Sequence, residues 1–259
     1  MTSWEALLLG LIQGLTEFLP VSSSGHLALG QYLLGYSHLQ DYLLFDLVCH
    51  LGTLGAIIWV FFNSLTEAFT TQRHRFWQIV LATLPLFPLA LLIKPLKVLF
   101  AQPQFLGPCF LVSAALLFAG IFYRFPMQQT RLNRQWKDPL VIGAFQAVAV
   151  FPGISRSGAT ISAAQLLGWT KEEAVRFSFL LAIPAILGAS ILEGWQVWHA
   201  TSSASSVPLT AYFIGFITSL SVGYCALRIL IHIVMHNQWI YFAWYCLLLG
   251  LATTFYFNF

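Results

Sequence analysis

Six stretches of this chain, about 43–63, 76–93, 105–123, 174–193, 208–233 and 239–258, are each long and apolar enough to cross a bilayer. A spanning helix needs roughly 20 mostly apolar residues. Six such stretches in 259 residues leave little room for anything else. Only 8% of the chain is charged and 58% is hydrophobic, whereas a soluble domain carries about 25% charged residues. The apolar excess must face lipid, so the fold class expected is an all-α polytopic membrane protein. Met1 to Gly10 lacks a basic region, with Glu5 where Lys or Arg would stand, and is not expected to be a cleaved leader. The net charge of +3 is small and dispersed, which argues against a nucleic-acid partner. Cys49, Cys109, Cys225 and Cys246 all lie in apolar stretches without a CxxC pair, so buried inert thiols are expected.

Two further apolar segments, 4–35 and 140–168, are broken in the middle. The first break lies in Gln13-Gly-Leu-Thr-Glu17-Phe-Leu-Pro20-Val-Ser22-Ser23-Ser24-Gly25-His26, the second in Gln146 to Thr160 around Phe151-Pro152-Gly153-Ile-Ser155-Arg156-Ser157-Gly158. The pieces on either side are short for a span, so each segment is expected to be a re-entrant helix hairpin. Non-helical backbone survives at membrane depth only where protein or a watery cavity surrounds it. Two breaks therefore imply a cavity.

The segments are copies. Aligned without gaps at a shift of 133, residues 7–58 match 140–191 at fifteen of 52 positions, among them Gly10/Gly143, Gln13/Gln146, Phe18/Phe151, Ser22/Ser155, Ser24/Ser157, Gly25/Gly158 and Gly35/Gly168. Apolar bias would align Leu with Leu, but not Ser-x-Ser-Gly with Ser-x-Ser-Gly. Three spans separate equivalent points, an odd number, so the second copy should be inverted. The expected organisation is one integral membrane domain of two inverted repeats, about 1–125 and 138–259, joined by a basic loop. Inverted repeats with broken helices are also transporter architecture.

Charge tests this topology. Arg73, Arg75, Arg124, Arg131, Arg134, Lys137, Lys171, Arg176 and Arg228 fall on one side, Lys94 and Lys97 on the other. The positive-inside rule makes the first side cytoplasmic, which places both termini outside.

Ionisable groups at membrane depth are costly and usually functional. Glu17 and Gln13, four apart, share a helix face and offer oxygen ligands to Mg²⁺ or Ca²⁺. A Glu bonded to its own turn is the plainer reading. Ser22, Ser23 and Ser24, with Ser155 and Ser157, can cap the helices that follow, and two helix N-termini meeting in a cavity would favour phosphate. Arg156, whose counterpart is Ser23, needs an anion, either Glu17 or a phosphate. His26 is a candidate acid, base or nucleophile on phosphorus, against the plain alternative of a satisfied core histidine. His50, Asp46 and Thr53 follow at helical spacing as supporting groups. Together these groups suggest phosphoryl transfer.

At this point the strings at 13–26 and 152–160 resemble the two signatures of the undecaprenyl-pyrophosphate phosphatases of the bacitracin-resistance family. The resemblance implies hydrolysis of undecaprenyl pyrophosphate to undecaprenyl phosphate and phosphate, a divalent-metal cofactor and a site open to the outer face. It also implies residence in the bacterial cytoplasmic membrane among its lipids, with a homodimer compatible. Carried over, Glu17 is the motif carboxylate, His26 the motif histidine and Ser23 the candidate nucleophile or substrate-binding serine. Ser155, Arg156 and Thr160 fall on the phosphate-binding signature. Gln13 stands where many members carry Glu, which removes a charge and bears on any two-carboxylate mechanism. Whether Ser23, His26 or water attacks phosphorus stays open. The rival reading is a transporter or flippase of undecaprenyl phosphate using the same cavity. A transporter has no need of an acid–base pair, so Glu17, His26 and Arg156 favour the enzyme.

Overall fold

The computed structural model describes residues 1–36, 42–89, 102–123, 131–199, 207–236 and 238–258. Among them are eleven α-helices and no strand. They are α1 (Ser3–Phe18), α2 (Ser23–Leu33), α3 (Leu43–Val60), α4 (Phe62–Phe69), α5 (Arg73–Thr83), α6 (Leu106–Phe122), α7 (Arg131–Val148), α8 (Arg156–Leu166), α9 (Lys171–His199), α10 (Leu209–Met235) and α11 (Ile240–Asn258). Five are long and apolar enough to cross a membrane: α3, α6 with the turn before it, α9, α10 and α11. The chain is thus a multi-pass membrane protein. The sixth expected span, 76–93, runs beyond the described residues after 89. Lys94, Lys97 and Arg124 also lie outside the described residues, as do the side chains of Arg131 and Arg134.

Local chemistry sets the helix ends. Thr2 caps α1 in a capping box: its hydroxyl accepts from the Glu5 N–H at 3.2 Å, and the Glu5 carboxylate accepts from the Thr2 N–H. α1 stops at Leu19, which is extended at φ −60°, ψ 139°, because the residue before a proline is pushed out of the α region. Ser22 then caps α2, its hydroxyl accepting from the Gly25 N–H at 3.4 Å, and Ser155 caps α8 through the Gly158 N–H at 3.1 Å. Both short helices are 11 residues long. Both are followed by a left-handed glycine, Gly35 at φ 82° and Gly168 at φ 79°, which only glycine adopts without cost. The likeness of the two segments therefore extends from sequence to helix length and to both caps.

Packing in lipid depends on close approach of backbones, for which small residues serve best. α1 lies along α10, with Gly10 and Gly14 against Gly215, Ser219 and Gly223. A methyl on Gly14 would sit 2.9 Å from Val222 Cβ and 3.0 Å from the Ser219 carbonyl oxygen. α10 also packs on α3, α6 on α11, and α8 fits between α6, α7 and α9. A core of Phe18, Phe61, Phe179, Leu117, Ile142, Ile161 and Leu227 runs between them.

One end of the bundle carries a polar cluster. Arg75 pairs with Glu173 at 3.1 Å, Arg176 with Glu67, and the Trp169 indole donates to Asp138 at 2.7 Å beneath the Arg75 guanidinium. These contacts put Glu67, Arg75, Asp138, Glu173 and Arg176 together at that end. Cys49, Cys109 and Cys246 are buried as expected, but Cys225 is exposed. Its position on α10 faces away from the core, so the expectation of four buried thiols fails there.

Candidate active site

The two breaks meet. The Ser157 hydroxyl donates to the Leu19 carbonyl at 3.4 Å, and a methyl on Gly158 would touch Pro20 at 3.4 Å. The N-termini of α2 and α8 are thereby brought beside one another, with the side chains of both breaks between them.

Glu17, in the last turn of α1, is the hub. The Arg156 guanidinium donates to its Oε1. The Ser23 hydroxyl donates to Oε2 at 2.6 Å, and the Gln13 amide donates to the same oxygen at 2.9 Å. His50 on α3 brings its Nε2 to 3.7 Å from Oε2, a contact that attracts when the ring carries both protons. Its Nδ1–H is committed to the Asp46 carbonyl at 2.7 Å. The Glu17 side chain is 3% exposed, that of Arg156 21% and that of His50 26%. An incoming anion therefore meets the Arg156 guanidinium and the His50 ring before it meets the carboxylate.

The remaining sequence candidates divide. Ser22 and Ser24 stand together at 3.4 Å between hydroxyls, and Ser155 and Ser157 at 3.3 Å. Ser22 is the single non-glycine residue at positive φ (72°) among the described residues, a conformation that costs of order 1–3 kcal/mol. His26 is one turn along α2 from Ser23, with Nδ1 on the Ser22 carbonyl at 2.7 Å and Nε2 on the Tyr245 hydroxyl at 2.7 Å. Thr160 is buried behind Arg156, its hydroxyl bonded to the Arg156 carbonyl at 2.9 Å and to Ser178 at 2.6 Å. Asp46 accepts from Gln31 at 2.8 Å. The Thr53 hydroxyl donates to the His50 carbonyl at 2.9 Å. The structure thus gathers Gln13, Glu17, Ser23, His50 and Arg156, and holds Asp46, Thr53 and Thr160 behind them.

In the second copy Val150 replaces Glu17, and Gln146, the counterpart of Gln13, is buried with neither amide atom hydrogen-bonded among the described residues. The second segment thus keeps the glutamine and the capping serine but carries no carboxylate at the position of Glu17.

Comparison with known proteins bears on what this constellation belongs to. The family model described as Bacitracin resistance protein BacA matches residues 6–252. The chain belongs to the bacitracin resistance protein family. It is 56% identical to the undecaprenyl-diphosphatase of Protochlamydia amoebophila over 259 residues, all of both chains. It is 40% identical to that of Desulfatibacillum aliphaticivorans, over 95% of each chain. With that of Bacteroides fragilis the identity is 36%, over 98% of this chain and 97% of the relative.

Sequence reasoning missed two residues that hold the site. Ser113 on α6 is buried. Its hydroxyl donates to the Gly153 carbonyl and accepts from the Ser155 N–H, both at 2.9 Å, so one side chain pins the second break. Tyr245 on α11 meets His26. A lone Ser and a lone Tyr in apolar spans carry no pattern that would single them out. Their roles exist only through contacts 40 and more residues away in sequence.

Proposed function

We propose that this chain is an undecaprenyl-diphosphatase, hydrolysing undecaprenyl pyrophosphate to undecaprenyl phosphate and inorganic phosphate. It would thereby recycle the lipid carrier of cell-envelope glycans and confer bacitracin resistance. The observation that carries the reading is the Ser23 hydroxyl bonded at 2.6 Å to a buried carboxylate whose other oxygen is held by Arg156. That is an activated-nucleophile arrangement, in which a base takes the hydroxyl proton and a third group orients the base.

In this mechanism the terminal phosphate binds between Arg156 and the N–H groups opening α2 and α8, where fork geometry and helix dipoles favour it. Ser23 Oγ attacks the terminal phosphorus and passes its proton to Glu17. The bond from that phosphorus to the bridging oxygen breaks, and undecaprenyl phosphate leaves. Water then attacks the phosphoserine and gives a proton to His26, the Ser23 Oγ–phosphorus bond breaks, Oγ recovers its own proton from Glu17 as phosphate departs, and His26 releases its proton to solvent. Donors placed in advance at developing charge are the largest contribution expected at such a site.

A divalent metal, Mg²⁺ or Ca²⁺, fits as a partner of the substrate rather than as the occupant of a protein cage. Gln13 Oε1 is a buried acceptor with no hydrogen-bond partner among the described residues, beside the Glu17 carboxylate. No group of three His, Cys, Asp or Glu among the described residues is placed to hold an ion. Glu17 and Gln13 would hold the metal, with phosphate oxygens and water completing its shell, the manner usual for Mg²⁺. When bound it would neutralise charge on the pyrophosphate.

The architecture proposed with this function is a pair of inverted repeats, each opening with a re-entrant hairpin, with termini and site toward the outer face. It is supported by the matched caps, by the three apolar stretches that the sequence places between the two segments, 43–63, 76–93 and 105–123, and by the clustering of Arg75 and Arg176 at one end. The test is phosphate release by purified protein in detergent with undecaprenyl pyrophosphate, with and without EDTA. Release is expected to require metal and to fall by about 10²–10⁴-fold in Glu17→Gln, the range of an acid–base contribution. Full turnover in Glu17→Gln would overturn the assignment.

A further inference from the structure

α11 contributes to the site a side chain that neither signature string contains. The Ser22 carbonyl can only accept, so the contact at 2.7 Å from His26 Nδ1 requires a proton on Nδ1. That leaves Nε2 as the basic nitrogen, and the Tyr245 hydroxyl occupies its single lone pair at 2.7 Å. The two rings are stacked, with centroids 5.6 Å apart and planes inclined by 13°. The Phe110 ring closes the other side edge-on at 5.3 Å. Next to Tyr245, the Cys246 thiol meets the Pro20 carbonyl at 3.6 Å, so α11 abuts the first break at two successive residues. Tyr245 itself is 45% exposed.

We propose that Tyr245 is a positioning residue for His26: it fixes the ring plane and keeps Nε2 as the working nitrogen. This rests on the reading of His26 as the proton acceptor in the reaction above. A phenol suits the task because it donates to neutral Nε2 and accepts from Nε2–H once the ring is protonated. A proton taken from water therefore reaches Nε2 through this hydroxyl, which accepts it as it passes its own to the ring, and the ring need not turn between the two states. A second-sphere partner that fixes tautomer and orientation in this way is a general feature of working histidines.

Tyr245→Phe keeps the stacked ring and removes only the hydroxyl. With undecaprenyl pyrophosphate as substrate, kcat is expected to fall about 3- to 10-fold, the range that one neutral hydrogen bond converts to. KM should stay unchanged, since in this reading Tyr245 acts through His26 rather than on the substrate. An independent readout is the rate at which diethyl pyrocarbonate modifies His26, followed by peptide mass spectrometry. Uncapping Nε2 is expected to raise that rate about 3- to 10-fold in Tyr245→Phe, with His232 and His236 unchanged. An unchanged modification rate, or a raised rate with undiminished kcat, overturns the proposal. Phosphate release absent from the wild-type protein is the failure of the phosphatase reading itself, and is seen before any variant is compared.

Discussion

Ser113→Ala removes one buried oxygen and should disturb both folding and reaction. The hydroxyl bridges the Gly153 carbonyl and the Ser155 N–H. These groups flank Ile154 in a stretch of backbone that belongs to no helix. Gly153 is at φ 96°, and a methyl there would lie 2.6 Å from Cys109 Cβ, so the turn has little freedom to find other partners. Each stranded backbone group costs about 1–3 kcal/mol. Allowing for partial repair by an entering water, the substitution should destabilise by about 2–4 kcal/mol. Ser155 precedes Arg156, so the same loss loosens the guanidinium. A displacement of about 1 Å in a positioning group costs up to about 100-fold in rate, and turnover is expected to fall about 10- to 100-fold. Stability can be followed by heating in detergent with a thiol-reactive dye. Cys49, Cys109 and Cys246 are buried and report unfolding, while exposed Cys225 is first replaced by Ser. The apparent midpoint should drop by roughly 5–15 °C. A Ser113→Ala protein matching its parent in both midpoint and turnover would refute the claim that this hydroxyl organises the second break.

Other expectations follow from the same geometry. Arg156→Lys keeps the charge but loses the planar fork, and phosphate release should fall about 100-fold in a protein that still elutes as a folded species. Gly14→Ala forces a methyl into the α1–α10 contact and should cost about 1–3 kcal/mol in the thermal assay. Gly188→Ala, where nothing among the described residues lies within 4 Å of an added methyl, should be neutral; equal effects of the two would refute the close-approach argument. On a background without the four native cysteines, a cysteine at Lys97 should react with an impermeant thiol reagent from outside and one at Arg131 should not, and the opposite pattern would reverse the proposed orientation.

Much of this protein was legible in the sequence because lipid leaves the backbone few choices. A long apolar run must be a helix, so five spans could be read directly, and the proline and serine strings located both breaks. The self-similarity at a shift of 133 residues related the two breaks, and the cost of a charge at depth drew attention to Glu17 and Arg156. Pairing was another matter. Periodicity says which residues share a helix face, but not which helix lies opposite. That Glu17 takes Arg156, Ser23 and His50 while Asp46 turns away to Gln31 was decided by how α1, α3 and α8 pack. The contributions of Ser113 and Tyr245 were likewise invisible, since each depends on a contact between helices distant in the chain. The sequence by itself determined that the chain lies in a membrane, where its helices break and which ionisable groups sit at the breaks, because those follow from local composition and solvation. Only the tertiary structure decided which atoms those groups present to one another, because hydrogen bonding is a matter of ångströms between elements whose approach is set by packing.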